Sequence, residues 1–567
     1  MRRSLCSLRE ILLTIALHSC SIAPSAAEAT FTNPILPGGY PDPSICRVQD
    51  DFYVVNSTFE YFPALPIHHS RDLVNWELIG HAIDREEQAG GRVNLVDVQS
   101  DGGIHAPSLR CRDNQFYVIT TNVYQPAEHG LPTEMVNFVL TADNPSGPWS
   151  MPHVIEGAPG IDPDLFFDDD GTVWYLGNHA PADAAYPGEG EIWLQQLDTE
   201  HWSLIGERYF LWRGALKNAI WAEGPHLYKA YGRYYLLVAE GGTSFDHAVT
   251  IASSPTLTGP YIGNGRNPIL TSRHLSYDHW VHSTGHADLV ELQDGRWYMV
   301  ALGVRGDIER GSNMGRETHL IPVQWELEPY VWKAEKIYWP VAAPLSGRVE
   351  RVNLAPFPNA QQQPVSVFVD EFDAPTLGMA WNFRRVPLAN TVSLTDRPGF
   401  LSLSTSPNRP HNRERASLLG FRQTETDFEY QVAMHFMPRQ LGAQAGINLF
   451  QKDDNYLAVT IVLEESNFFI QTELQSPNHS LQRVAREALT QFDGEIHFRI
   501  ISRNGEYTVQ YALKANDNWS DLSQVGGNHL ISRGYTGAYL GLYAQCDSCG
   551  VPETSYFDRV EYRPLPR

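Results

Sequence analysis

Three carboxylates, Asp42, Asp162 and Glu223, recur at matching places in a repeated phrase, and a fold that respects the repeat would carry them to one place. Asp42 directly precedes Pro43 and Asp162 directly precedes Pro163, while Glu223 stands two residues before Pro225. Converging carboxyl groups can divide acid and base duties, because a nearby negative charge raises the pKa of its neighbour. Taken singly, an Asp before Pro is an ordinary turn former. Asp162 and Glu223 lie 120 and 181 positions beyond Asp42, and their shared register favours the catalytic reading.

The phrase that carries them is a small or acidic residue, usually Pro, an apolar strand, a polar turn, and an aromatic pair opening a second apolar strand. Its five copies end in Phe52-Tyr53, Phe116-Tyr117, Trp174-Tyr175, Tyr234-Tyr235 and Trp297-Tyr298. The anchors at 43, 107, 163, 225 and 287 are separated by 64, 56, 62 and 62 residues, an even long period that marks a repeat architecture. Each unit holds a further strand-like pair, such as Ile192 to Leu197 before Trp202 to Ile205, so the count is four strands per unit. The expectation is an all-β chain whose first part, residues 30–350, is a five-bladed β-propeller. The first strand of each blade lines the central axis, which brings the three carboxylates to one mouth. His286, one residue before the fifth anchor Ala287, shares that register, with a satisfied structural histidine as the competing reading.

Near residue 350 the repeat stops. Residues 351–364, rich in Pro, Asn and Gln, read as a linker. Alternating runs such as 429–433, 456–462, 496–501 and 538–543 then predict a β-sandwich over 365–567.

The formal net charge of -24 argues against a nucleic-acid partner, which needs a basic stripe, and a neutral saccharide is indifferent to it. Residues 1–29 read as a secretory signal peptide: Arg2 and Arg3, an apolar stretch from Ile11 to Leu17, and Ala27-Glu28-Ala29 as the cleavage pattern. Export to the periplasm or the exterior is therefore expected. Leu17-His18-Ser19-Cys20 also resembles a lipoprotein signal with Cys20 lipidated, although His fits poorly there. No later apolar stretch is long enough for a membrane span. Four cysteines remain after cleavage. Cys546 and Cys549 read as a local disulfide; for Cys46 and Cys111, buried thiols compete with a bridge.

The successions Tyr40 to Ser44, Gly160 to Phe166 and Ala222 to Tyr228, with Glu240 to Thr243, Gly285 to Asp288 and Gly315 to Thr318, resemble glycoside hydrolase family 43. That family comprises five-bladed propellers acting as β-xylosidases, α-L-arabinofuranosidases and arabinanases, and the trailing sandwich resembles the accessory, concanavalin-like domain of its exo-acting branch. The resemblance implies that Asp42 is the general base, Glu223 the general acid, and Asp162 the carboxylate that tunes and orients the acid. It implies that His286 contacts the sugar or the channel, and that Arg305 binds sugar hydroxyls, with Arg310 and Arg316 as its neighbours and competitors. One departure is Ile104-His105-Ala106-Pro107, where many members carry an aromatic before Ala-Pro. The activity implied is inverting exo-hydrolysis of a terminal pentose, β-D-xylose or α-L-arabinofuranose, from xylan-type or arabinose-bearing oligosaccharides. An endo-arabinanase and a non-catalytic carbohydrate-binding propeller are the alternatives. No organic cofactor is required, and a structural calcium is admitted, in the channel or on the sandwich, because both offer oxygen ligands. Nothing in the sequence speaks to oligomeric state. The resemblance further implies that the sandwich lends a loop to the rim of the site.

Overall fold

The computed structural model describes residues 29–565 apart from 129, 331, 332, 334, 366 and 516, so the leader and its cleavage pattern lie almost wholly outside the described residues. No α-helix occurs among them; the only helical turns are two short 3-10 pieces, Glu86–Gln88 and Gly527–Leu530. None is long and apolar enough to cross a membrane.

Five antiparallel sheets follow one another along the chain, each containing a run of four strands hydrogen-bonded in order. Blade 1 runs through Ser44–Val48, Asp51–Val55, Ala64–Ser70 and Glu77–Ile83; blade 5 runs through Val281–Glu291, Trp297–Arg305, Arg316–Leu327 and Tyr338–Ala342. The tight turns follow hairpin rules. Asp113-Asn114 and Tyr231-Gly232 have positive φ at both residues, the twist that suits a two-residue connection.

Packing explains why an aromatic pair opens each second strand. Side chains of adjacent strand residues point to opposite faces, and here each face meets a different blade. Phe52 and Val54 pack towards blade 5 while Val55 packs towards blade 2. Tyr234 lies in the layer shared with blade 3 and Tyr235 in that shared with blade 5. Trp174 and Tyr175 divide in the same way. Both faces are buried, so the strands read as continuous apolar runs, and the aromatic pair puts one ring into each interblade layer. The ring closes between blades 5 and 1 through Ile45, Val54, Val290, Val300 and Leu320, with no strand shared between the first and last blades among the described residues. Two polar bonds add to that seam, from Ser44 Oγ and the Ile45 N–H to Asp288 Oδ2 (2.6 and 3.1 Å).

The predicted linker is partly strand: Val352–Leu354 pairs with Thr30–Thr32, tying the two ends of the propeller together. Beyond it, two sheets face each other over one apolar core that includes Trp381, Leu403, Tyr430, Ile447, Val459 and Phe498. Phe428–His435 alternates strictly between buried and half-buried positions, as a strand with one face on a core should. The two domains share a sheet. Tyr61–Phe62, from a blade 1 connection, adds as an edge strand to Asn382–Arg384 of the sandwich. Cys46 and Cys111 are joined between blades 1 and 2, and Cys546 and Cys549 form the local bridge expected of them.

Candidate active site

Every blade bends at the same point. Asp42, Ala106, Asp162, Gly224 and His286, the residues just before the five anchors, have φ of 50, 31, 54, 55 and 43°. Four of these five are not glycine, and left-handed backbone is costly for such residues, so the surrounding packing must impose it. Register shifts follow at the same level in blades 2, 4 and 5, between His105 and Ser108, Glu223 and His226, and Gly285 and Ala287. Such bulges re-aim side chains, and here they accompany a ring of residues turned into one mouth of the propeller.

The mouth is a cavity of about 170 Å³ lined by Asp42, Asp162, Glu223, His105, His286, Arg316, Thr243, Phe59, Ala106, Ile161, Trp221 and Tyr535. The structure thus brings together four of the residues the sequence singled out: Asp42, Asp162, Glu223 and His286. Gly224 makes room for the fourth, since a Cβ there would meet the His286 ring at 2.9 Å.

Arg305 is not in the cavity. Its guanidinium is taken up by both oxygens of Glu317 (2.6 and 2.8 Å), by Glu425 (2.9 Å) and by the Thr424 carbonyl (2.8 Å), which makes it a strut between propeller and sandwich. The arginine of the site is its competitor Arg316. Arg316 pairs across the sheet with Val304, so it shares a face with Val304 and points away from the side on which Arg305 meets Glu317.

The electrostatics separate the carboxyl groups. Burial alone would push Asp42 up, but Arg316 Nη1 at 2.8 Å, His286 Nδ1 at 4.0 Å and the Ser57 hydroxyl at 2.6 Å hold it below its ordinary value. Asp162 is pushed up to about 8 by burial and by the charge of Asp42, only partly offset by the Gly224 N–H and Arg316. Glu223 is raised well above its ordinary value by burial and by the charges of Asp162 and Asp42. His105 and His286 are lowered to about 4 by burial and stand neutral. The cavity therefore holds an ionised carboxylate, a carboxyl group kept protonated, and a third that shares the proton load.

Below the mouth, Asp164 and Asp288 lie on either side of Arg110, whose Nη2 is 2.6 Å from Asp164 and whose Nη1 is 2.8 Å from Asp288, with His226 Nδ1 3.0 Å from Asp164. The guanidinium already supplies the positive charge there, so these side chains do not fit a calcium ion in that part of the channel. Among the described residues, no group of three or more His, Cys, Asp or Glu side chains is arranged to hold a metal.

Sequence reasoning missed Phe59, Trp221 and Tyr535. Phe59 lies in the connection between the second and third strands of blade 1, Trp221 just ahead of the first strand of blade 4, and Tyr535 in a strandless stretch of the sandwich, where no periodicity marks a residue. Their rings build the wall: Tyr535 stacks on Phe59 (centroids 5.4 Å, 25°), His105 stands edge-on to both, and Trp221, half exposed, sits on the rim.

Comparison with known proteins places this geometry. The profile of "Glycosyl hydrolases family 43" matches residues 31–328, and that of "Beta xylosidase C-terminal Concanavalin A-like domain" matches 369–563. A xylosidase/arabinosidase of Butyrivibrio fibrisolvens is 38% identical over 539 residues, covering 93% of this chain and 97% of its own. A non-reducing end alpha-L-arabinofuranosidase of Bacteroides ovatus is 34% identical over 570 residues, covering 99% of each chain. The crystal structure of a xylan beta-1,4-xylosidase from Bacillus halodurans superposes with a TM-score of 0.85 at 30% identity, covering 94% of this chain and 100% of that one. With its propeller, its sandwich and the carboxyl groups at its mouth, this chain belongs to glycoside hydrolase family 43.

Proposed function

We propose that this glycoside hydrolase removes one terminal pentose, β-D-xylose or α-L-arabinofuranose, from hemicellulose-derived oligosaccharides with inversion of configuration. The carrying observation is the split among the carboxyl groups of one small cavity, Asp42 held ionised and Glu223 held protonated. In this reading Asp42 takes a proton from a water as the water attacks the anomeric carbon. Glu223 gives its proton to the departing glycosidic oxygen, and the two carboxyl groups are reset by exchange with solvent. Burial and the charge of Asp42 keep the proton load on Glu223 and its neighbour Asp162, and Arg316 keeps it off Asp42. Trp221, Phe59 and Tyr535 offer ring faces to the apolar side of a sugar.

The volume of about 170 Å³ falls below the roughly 300–1,000 Å³ of pockets for drug-sized ligands, and it supports an exo reading over an endo one, because one sugar ring fills it. Both sugars agree with the activities for which the two relatives are named. Export is supported by the two disulfides, which persist in oxidising compartments.

The test compares turnover of an aryl β-D-xyloside and an aryl α-L-arabinofuranoside, with proton NMR of the first sugar released. The expected product has the anomeric configuration opposite to the substrate's. Retention would recast Asp42 as a nucleophile.

A further inference from the structure

Tyr535 is the one residue of the cavity wall that comes from the sandwich, and it sits in the strandless stretch between Leu530 and Tyr539. A ring in such a segment holds its place only if something outside it does the holding. The strongest connection runs to Asp101, in the propeller's connection between blades 1 and 2. Asp101 Oδ1 accepts the Tyr535 N–H at 3.0 Å, and its other oxygen pairs with Lys452 of the sandwich. The Asp101 N–H is donated to Glu60 (3.2 Å), and its carbonyl accepts the Nε2–H of His105 (3.0 Å). Gly534 fits against the same carboxylate: a Cβ there would lie 2.3 Å from Asp101 Oδ2, and its φ of +99° suits glycine alone.

We propose that Asp101 is a positioning residue that clamps the Gly534-Tyr535 turn of the sandwich onto the propeller and thereby sets the ring wall of the pocket. It does not line the cavity itself. Through one residue, the carboxylate fixes Tyr535 and the carbonyl fixes His105, and these two rings meet each other and Phe59. The clamp also reaches the base. The Arg316 guanidinium lies over both Phe59 and Tyr535 (5.5 and 5.2 Å to the centroids) and binds Asp42 at 2.8 Å. Closure of the pocket is thus written in the propeller, although the closing ring belongs to the sandwich.

The consequence for turnover rests on reading the cavity as the terminal-sugar pocket; the clamp itself does not. The full chain and its Asp101→Ala, Asp101→Asn and Lys452→Met variants are compared by amide hydrogen exchange and by kinetics on the aryl glycosides. In Asp101→Ala, exchange at the Tyr535 amide rises about tenfold or more, the loss of a hydrogen bond to a charged acceptor. KM rises by about the same factor while kcat changes less, because ground-state positioning is lost before chemistry. Asp101→Asn retains an acceptor for the Tyr535 N–H and recovers most of both, and Lys452→Met, which leaves that bond intact, changes both least. Unchanged exchange at Tyr535 in a folded Asp101→Ala protein overturns the clamp, and so does a rise of about tenfold or more in Asp101→Asn, which keeps the acceptor. Faster exchange with unchanged KM overturns its role in the pocket. If the wild type turns over neither glycoside, the functional reading and the pocket role fall together, and the exchange data still decide the clamp.

Discussion

Two clusters of carboxylates are built at the first strands of the blades, meeting on blade 3 where Asp162 and Asp164 stand two residues apart, and they are balanced in opposite ways. On the axis, Asp164 and Asp288 share one guanidinium, Arg110, at 2.6 and 2.8 Å, and Asp288 is held well below its ordinary value despite burial. At the mouth, Asp42, Asp162 and Glu223 share one guanidinium, Arg316, which touches only Asp42. The added carboxyl group changes what the site can do. On the axis the cation keeps Asp288 ionised, whereas at the mouth three carboxyl groups crowd one cation, and the surplus is relieved by keeping protons on Asp162 and Glu223. A matched cluster holds blades together, and a mismatched one holds a proton that can be given away.

The sharpest break of this contrast removes members of the mouth. Glu223→Ala is expected to slow hydrolysis of natural glycosides by about 10²–10⁴-fold, the usual contribution of a general acid. On an aryl glycoside whose leaving group needs no proton, the loss should be much smaller. Asp42→Ala should be slow on both kinds of substrate, since the water is activated in neither. Steady-state rates on a matched pair of substrates check this, and equal losses for Glu223→Ala on both would remove it from the acid's role.

Exchanging the cations tests the two clusters against each other. Arg110→Met leaves Asp164 and Asp288 buried without the cation they share, and the expected cost is about 3–5 kcal/mol of stability, read by denaturant unfolding. Arg316→Met should instead show most clearly in the pH profile. In the wild type the acid limb reports Asp42, whose pKa lies below the ordinary 3.8, and activity is lost as pH falls through it. Without Arg316 the carboxyl loses its main favourable charge, so the acid limb moves to higher pH. The alkaline limb, set by the raised Glu223 and Asp162, should still be present. An unmoved acid limb would separate Arg316 from the base.

Much of this was legible in the sequence, and the boundary of legibility is physical. The five blades could be read because each hairpin repeats one packing problem, two buried faces and one ring for each. Asp42, Asp162, Glu223 and His286 could be read because they share a register within that repeat. The choice between Arg305 and Arg316 could not. Both belong to blade 5, on its second and third strands, and which face each takes depends on the cross-strand register that sets Arg316 opposite Val304, a pairing no local pattern encodes. Cys46 and Cys111 were ambiguous for a related reason, since equivalent places in neighbouring blades are close whether or not they are bonded. Tyr535 was illegible: a turn in a second domain, placed by a carboxylate 434 residues away, leaves no local pattern.

The smallest expected effect is on stability, and its sign follows from the same surplus of charge. Glu223 has a folded pKa above its unfolded value, so between the two the native state keeps a proton that the unfolded state has released. Stability therefore falls as pH rises from about 4.3, the ordinary glutamate value, through the folded pKa. Asp162, at about 8 in the fold, adds a loss of the same sign over an overlapping window. Glu223→Gln keeps the shape and removes the titration. Its melting temperature should match the wild type's near pH 4 and exceed it increasingly towards pH 8, by the equivalent of roughly 1 kcal/mol, in keeping with the gains seen when a strained functional group is neutralised. The corresponding change on the axis, Asp288→Asn, should destabilise at neutral pH, because there the carboxylate is paired and lowered. Thermal melts of both variants across this pH range decide the matter. If Glu223→Gln is no more stable at pH 8 than at pH 4 relative to the wild type, the mouth does not store the charge imbalance that its acid chemistry requires.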